Sequence, residues 1–157
     1  YLRGEWQSFR ETLVSIVLCL YVGYIGYVAL PAGPPRYTIP ELFGPPLVGF
    51  IPFLDATRAA TAAVPLTAKG AFPSLHCGVM FLATLLAWRH LRWFFPVMLF
   101  FGAGLIAGTV YLRHHWVVDI IAGIAIAIVA DRVAPPLERW WAARGAGASG
   151  PGGAVRG

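Results

Sequence analysis

Residues 12–30 form an apolar run of nineteen positions without a charge, long enough to cross the hydrocarbon core of a bilayer as one helix. Residues 71–88 repeat the pattern over eighteen positions that lack any Asp, Glu, Lys or Arg, and Ser74 after Pro73 stands where an N-cap belongs. The link Arg89, His90, Leu91, Arg92 leaves room only for a tight helical hairpin. Residues 93–112 then cross back, with a kink expected at Pro96 near one end. Residues 116–130, extended to about 133, make the last crossing, and their GIAIAIVA face suits close packing on a neighbour. The pattern predicts an all-α integral membrane bundle of about four transmembrane helices.

Between these runs the polar and proline-rich positions set the boundaries. Residues 1–11 mix aromatic and charged side chains, as a segment lying at a membrane interface does. Prolines 31, 34 and 35, with Gly33, cannot continue the first helix, which leaves Arg36 just outside it. Residues 42–54 are apolar but short and broken by Pro45, Pro46 and Pro52, so an interfacial or re-entrant cap is expected there. Residues 55–64 read as a short Ala-rich surface helix carrying Arg58. Pro135 and Pro136 are expected to stop the last helix, with LERWWAAR lying on the surface after it. Residues 1–144 then make one membrane-embedded domain, and 145–157 a disordered Gly/Ala-rich tail. The chain does not begin with Met and is expected to be a piece of a longer protein whose earlier spans precede it.

Composition agrees with the pattern. Hydrophobic residues make up 58% and charged residues 12%, well under the quarter typical of a soluble domain. A net charge of +5 in a soluble chain would suggest nucleic acid, but here the cations flank apolar spans, where they set orientation in the bilayer. Nucleic acid is therefore not an expected partner. Cys19 and Cys77 lie inside apolar runs and indicate neither a disulfide framework nor zinc. Four crossings put Arg3, Arg10, Arg89, Arg92, Arg132, Arg139, Arg144 and Arg156 on one side and Arg36, Arg58, Lys69 and Arg113 on the other. Eight against four makes the first side cytoplasmic. Arg36, the 73–76 turn and His115 then share the outer face, and Gly, Ala and Arg richness suggests a bacterial inner membrane.

That convergence carries the chemistry. His115 and Asp119 are four residues apart at the start of a helix, which stacks them on one face. An Asp accepting the Nδ1 proton would fix the tautomer and leave Nε2 as a nucleophile. The bland reading of Asp119 is a pairing with Arg113 that holds helices together; the bland reading of Ser74 is a cap. Two helix N-termini, one opened by residues 73–76 and one by His115, can face a common anion, and phosphate is the natural one. Arg113, Lys69 and Arg36 would donate to its oxygens, His115 would attack phosphorus and His76 would protonate the leaving oxygen. No metal or other cofactor is required of such a centre. His114, about 100° from His115 if helical geometry reaches that far, is expected to face headgroups or solvent.

PSLH at 73–76, followed 39 residues after its His by the H-x-x-x-D of His115 and Asp119, resembles the type 2 phosphatidic acid phosphatase superfamily. That superfamily includes lipid phosphate phosphatases and vanadium haloperoxidases. The resemblance implies a general acid at His76, a phosphohistidine at His115 supported by Asp119, and a phosphate contact from Ser74. Leu75 stands where the common form has Gly, and Gly108 and Thr109 stand where it has Ser-Arg. In this the chain is similar to the inositol phosphorylceramide synthase branch, whose later motif runs S-T-x-x-x-K-x-H-Y-x-x-D, with Arg113 matching the Lys and Trp116 the Tyr. PAGPPR resembles that branch's proline-rich segment and makes Arg36 the counterpart of the first motif's arginine, while Lys69 is a spatial substitute for its lysine. The resemblance covers residues 31–123.

The expected protein is a metal-independent membrane phosphatase that hydrolyses a lipid phosphomonoester or pyrophosphate through a phosphohistidine. Its alternatives are a head-group phosphotransferase of inositol phosphorylceramide synthase type and a non-catalytic membrane anion-binding module. The expected partners are a lipid phosphate substrate and membrane lipids, with a homo-oligomer allowed.

Overall fold

The structure, a computed structural model, describes residues 2–44, 55, 56, 59 and 70–148. Arg58, Lys69, Arg156, most of the expected cap and surface helix, and the chain beyond 148 lie outside the described residues. Within them the fold is all-helical: α1 (Leu2–Ala29), α2 (Pro35–Thr38), a 3-10 turn (Pro40–Leu42), α3 (Leu75–His90), α4 (Phe95–Tyr111) and α5 (Val117–Ala148). Helix α5 is the centre of the bundle, packing against both α1 and α3, while α4 packs on α3. Cys19, Leu82, Ala127 and Ala130 form the buried core, with Ile16, Val79 and Leu86 around it.

Local chemistry explains where the helices begin and end. Helix α1 starts at Leu2, so the expected interfacial segment is continuous with the first span. It ends at Ala29, before the prolines. Ser74 caps α3, its Oγ accepting from the Cys77 N–H at 3.4 Å. Pro96 falls in the first turn of α4, where its missing N–H costs no helical bond.

The expected stop at Pro135 and Pro136 is not observed. Helix α5 runs through both prolines to Ala148, and LERWWAAR continues it. Tertiary contact supplies the reason: Ala134 and Glu138 are buried, and Arg10 of α1 pairs with Glu138 at 3.0 Å. Arg139 Nε also donates to the Pro135 carbonyl at 3.2 Å. These interactions hold the helical path against a proline penalty of about 3 kcal/mol. Asp131, 3% exposed, sits in a bidentate pair with Arg89 at 2.6 and 2.8 Å and ties α3 to α5. Arg89, expected in the hairpin link, thus also holds two helices together.

Large apolar side chains cover the outside of the bundle: Val28 and Ile25 on α1, Phe100 and Phe101 on α4, Ile121 and Val129 on α5 are exposed. Such a surface suits contact with lipid, as in a membrane helical bundle. Residues Trp6–Ala29 are by themselves long and apolar enough to cross a membrane. Helix α4 is apolar over 17 residues, α3 has 16, and α5 carries Asp119, Asp131 and Arg132.

Helices α3 and α5 meet backbone to backbone. A Cβ on Gly78 would stand 2.7 Å from the Gly123 carbonyl oxygen, and one on Gly123 would collide with the Ser74 carbonyl. The Ser74 N–H donates to the Asp119 carbonyl at 2.9 Å across this contact. Gly123→Ala is therefore expected to destabilise the protein by about 1–3 kcal/mol, read as a lowered midpoint of thermal unfolding in detergent. Gly104→Ala, whose added methyl meets nothing within 4 Å, is the control and should leave the midpoint unchanged or raise it slightly.

Candidate active site

The contact between α3 and α5 sets the 71–74 segment against the 115–119 segment, and a third segment closes the triangle. Residues 32–36 are stitched to both: the Ala71 N–H donates to the Ala32 carbonyl at 3.0 Å, Trp116 Nε1 to the Gly33 carbonyl at 3.1 Å, and the Arg36 N–H to the Arg113 carbonyl at 3.3 Å. Pro31 and Pro34 flank Ala32 and Gly33 and keep that stretch out of a helix, which leaves the two carbonyls free to accept from the other segments.

Within the triangle His115 is 8% exposed and Asp119 1%. His115 Nδ1 lies 2.9 Å from the Ala71 carbonyl oxygen. A carbonyl can only accept, so Nδ1 carries the proton and Nε2 presents a lone pair. The expected Asp119–Nδ1 hydrogen bond is replaced by this backbone contact. Asp119 Oδ2 stands 3.6 Å from Nδ1, beyond hydrogen-bond length, and accepts instead from the Trp116 N–H at 2.8 Å, in the first turn of α5. The carboxylate caps its own helix and acts on the imidazole through charge.

His76, exposed on the first turn of α3, faces His115 with ring centroids 5.9 Å apart. Ser74 is fully buried behind it as the cap. Arg36 reaches the site through His114, with Nη1 3.3 Å from His114 Nε2. His114 is half-buried rather than turned to headgroups: α5 begins at Val117, so residues 112–116 do not follow the helical angle. Arg113 has φ 60°, a left-handed backbone unusual for a residue with a side chain, and its guanidinium lies 4.2 Å from the Phe43 ring centroid. The structure thus groups Ser74, His76, His115, Asp119 and Arg36, places the Arg113 guanidinium over an aromatic ring, and does not describe Lys69.

Electrostatics follow from the arrangement. Burial, above all, lowers the His115 pKa from its usual 6.5, His76 lowers it further, and the Ala71 carbonyl and Asp119 oppose them. Burial also lowers the His114 pKa, followed by the charges of Arg36, His115 and His76. Imidazoles and a guanidinium thus crowd one end of the bundle with Asp119 the nearby carboxylate. Beside His76 an apolar groove of about 470 Å³ runs between Tyr24 and Tyr27 of α1, Val79 and Met80 of α3, and Leu105 of α4.

The Ala71 carbonyl and the Arg36–His114 contact are not readable from the sequence. A backbone acceptor has no residue signature, whereas the doubled histidine at 114–115 was a visible signal. Fold and site together define an all-helical protein with an apolar outer surface, one helix apolar and long enough to cross a membrane, and a histidine centre at one end of its bundle. The chain belongs to the PAP2 superfamily, whose model matches residues 1–132. This is a family of lipid phosphatases and phosphotransferases. Among curated proteins it is similar to the phosphoinositol dihydroceramide synthase of Bacteroides thetaiotaomicron, with 26% identity over 145 residues. That match covers 82% of this chain and 46% of the relative, so the chain spans about half the relative's length. No solved structure matches it.

Asp119→Asn separates the two roles of the carboxylate, since an amide oxygen can still accept from Trp116 while the charge is gone. The expected outcome is a folded protein whose kcat falls about 10- to 100-fold. Asp119 raises the His115 pKa, so its removal lowers that pKa further. The acid limb of the kcat/KM profile, which marks protonation of His115, should move to lower pH.

Proposed function

We propose that this protein transfers phosphoryl groups of membrane lipids through a covalent intermediate on His115, at the extracytoplasmic face of the membrane. The observation that carries the reading is the Ala71 carbonyl 2.9 Å from His115 Nδ1. It commits the ring to the tautomer whose Nε2 can attack phosphorus, and burial favours the neutral ring.

In the first step the Nε2 lone pair forms the P–N bond as the bond from phosphorus to the lipid oxygen breaks. Protonated His76 gives its proton to the departing oxygen, which leaves as the lipid alcohol. The phosphorylated imidazole keeps its Nδ1 proton and becomes cationic. Asp119 at 3.6 Å and the Ala71 carbonyl therefore interact more strongly with the intermediate than with the resting ring. In the second step His76 takes a proton from the acceptor hydroxyl as its oxygen attacks phosphorus and the P–N bond breaks. Arg36 supplies a cationic donor to the phosphoryl oxygens, and Arg113 and Lys69 are further candidates for that role. The apolar groove beside His76 suits a lipid tail, which supports a lipid rather than a water-soluble phosphate ester.

With water as acceptor the reaction is hydrolysis of a lipid phosphomonoester or pyrophosphate. A second reading, transfer of a phospho-head group to a lipid hydroxyl, is favoured by the similarity to a phosphoinositol dihydroceramide synthase. The donor would then be a phosphoinositol lipid, the covalent species a phosphoinositol ester of His115, and the acceptor a dihydroceramide hydroxyl.

Both readings meet in one experiment. Purified protein in detergent with EDTA is given dioleoyl phosphatidic acid or a prenyl pyrophosphate, and separately phosphatidylinositol with dihydroceramide. Phosphate release in the first arm identifies the phosphatase; an inositol-containing ceramide in the second identifies the transferase. His115→Ala should remove either activity, and an acid-labile, base-stable label from radioactive substrate should appear on wild type and not on the variant. Silence in both arms from folded protein would sink the reading and favour a non-catalytic module. The activity of wild type should persist below pH 6.5, because the lowered pKa of His115 keeps its neutral, attacking form as pH falls.

A further inference from the structure

Arg36 and His114 are 78 residues apart in sequence, yet both backbones are pinned where their side chains meet. The Arg36 N–H donates to the Arg113 carbonyl at 3.3 Å, and the His114 N–H to the Thr109 carbonyl at 2.9 Å. The guanidinium is tied at one corner, Nη1 to His114 Nε2 at 3.3 Å, and lies 4.6 Å from the Tyr37 ring centroid. Its Nε is buried without a hydrogen-bond partner among the described residues, a donor that an oxyanion would satisfy. A guanidinium never accepts and does not deprotonate, so this contact exists only while His114 Nε2 is an acceptor. His114 must be neutral, with its proton on Nδ1.

We infer that His114 is a positioning residue for Arg36: its neutral imidazole holds the guanidinium fork toward a phosphate beside His115, and its protonation sets cation against cation and releases the fork. The inference rests on the proposed reading of the site as one that binds lipid phosphate, with Arg36 among its donors. The charged and titratable groups facing His114 are Arg36 from α2, His76 from α3 and His115 from its own loop, with Asp119 behind His115. All three that face it are cationic when charged, which keeps His114 neutral at ordinary pH and agrees with its lowered pKa. Binding of a phosphate dianion would be strongest at neutral pH and fall as His114 takes up a proton.

The test measures binding and turnover separately on the full chain in detergent. The dissociation constant for inorganic phosphate is followed against pH by histidine side-chain NMR, and kcat and KM are measured for dioleoyl phosphatidic acid or, should the transferase reading hold, for phosphatidylinositol. His114→Ala should weaken phosphate binding and raise KM about tenfold, with kcat changed little. Its effect should not add to that of Arg36→Ala, because the two remove one interaction. His114→Gln, whose side-chain carbonyl can take the place of Nε2 without titrating, should restore affinity and leave only the acid-pH loss that protonation of phosphate itself causes. In Arg36→Ala the His114 titration midpoint should move up, since a neighbouring cation is gone.

Unchanged phosphate affinity in His114→Ala, additive effects with Arg36→Ala, or an unmoved midpoint would each overturn the inference. If His114→Ala does not fold, the glutamine variant and the midpoint in Arg36→Ala decide alone. Phosphate binding that depends on His114 without any lipid turnover would refute the proposed function and leave this inference standing. Failure of phosphate to bind at all would refute this inference, while lipid turnover in the same samples decides the proposed function separately.

Discussion

Everything at the histidine end depends on how closely two backbones can approach. Gly78 and Gly123 let α3 and α5 touch without side chains between them, and the Ser74 N–H reaches the Asp119 carbonyl across the gap at 2.9 Å. The capped start of α3 and the capped start of α5 are thereby held side by side. One consequence is that the Ala71 carbonyl, three residues before the cap, falls within 2.9 Å of His115 Nδ1. Widen the contact by one methyl group and the carbonyl that sets the tautomer moves with it.

The division of labour around His115 follows from this placement. A neutral carbonyl takes the hydrogen bond and orients the ring without giving it charge, so burial can keep the imidazole unprotonated. The carboxylate stands back at 3.6 Å, where its attraction grows when the ring becomes cationic. A carboxylate at hydrogen-bond distance would favour the protonated, non-nucleophilic ring more strongly. Asp119 is spared that position by the Trp116 N–H, which takes the carboxylate oxygen at 2.8 Å and fixes it to the helix.

The opposite end of the bundle is secured by charge rather than by close backbone contact. Arg89 grips Asp131 with two hydrogen bonds, and Arg10 holds Glu138. Both acids are buried, so removal of either arginine would leave a carboxylate without its partner in an apolar setting. These pairs lock α5 to α3 and to α1, and they carry α5 past Pro135 and Pro136. The ion-paired end and the histidine end thus differ in what holds them: buried charge pairs at one, close backbone contact at the other.

Much of this was legible along the chain because it is local. Apolar run length, the prolines after Ala29, the Ser74 cap and the four-residue spacing of His115 and Asp119 each depend on neighbours within one helical turn, where backbone geometry is nearly fixed. The distribution of cations along the chain set Arg36 and His76 on the same side as His115, and the family resemblance agreed with it. Three features belong to the tertiary structure alone. The acceptor for His115 is a backbone carbonyl 44 residues away, which any residue type would supply. The Arg36–His114 contact joins positions 78 apart whose meeting depends on the proline-shaped 32–36 segment. The continuation of α5 through two prolines reverses a sound local rule, because burial of Ala134 and the Arg10–Glu138 pair outweigh one turn's lost hydrogen bonds. Local pattern determines which segments form helices and which residues can carry chemistry; only packing decides which atoms of distant segments meet.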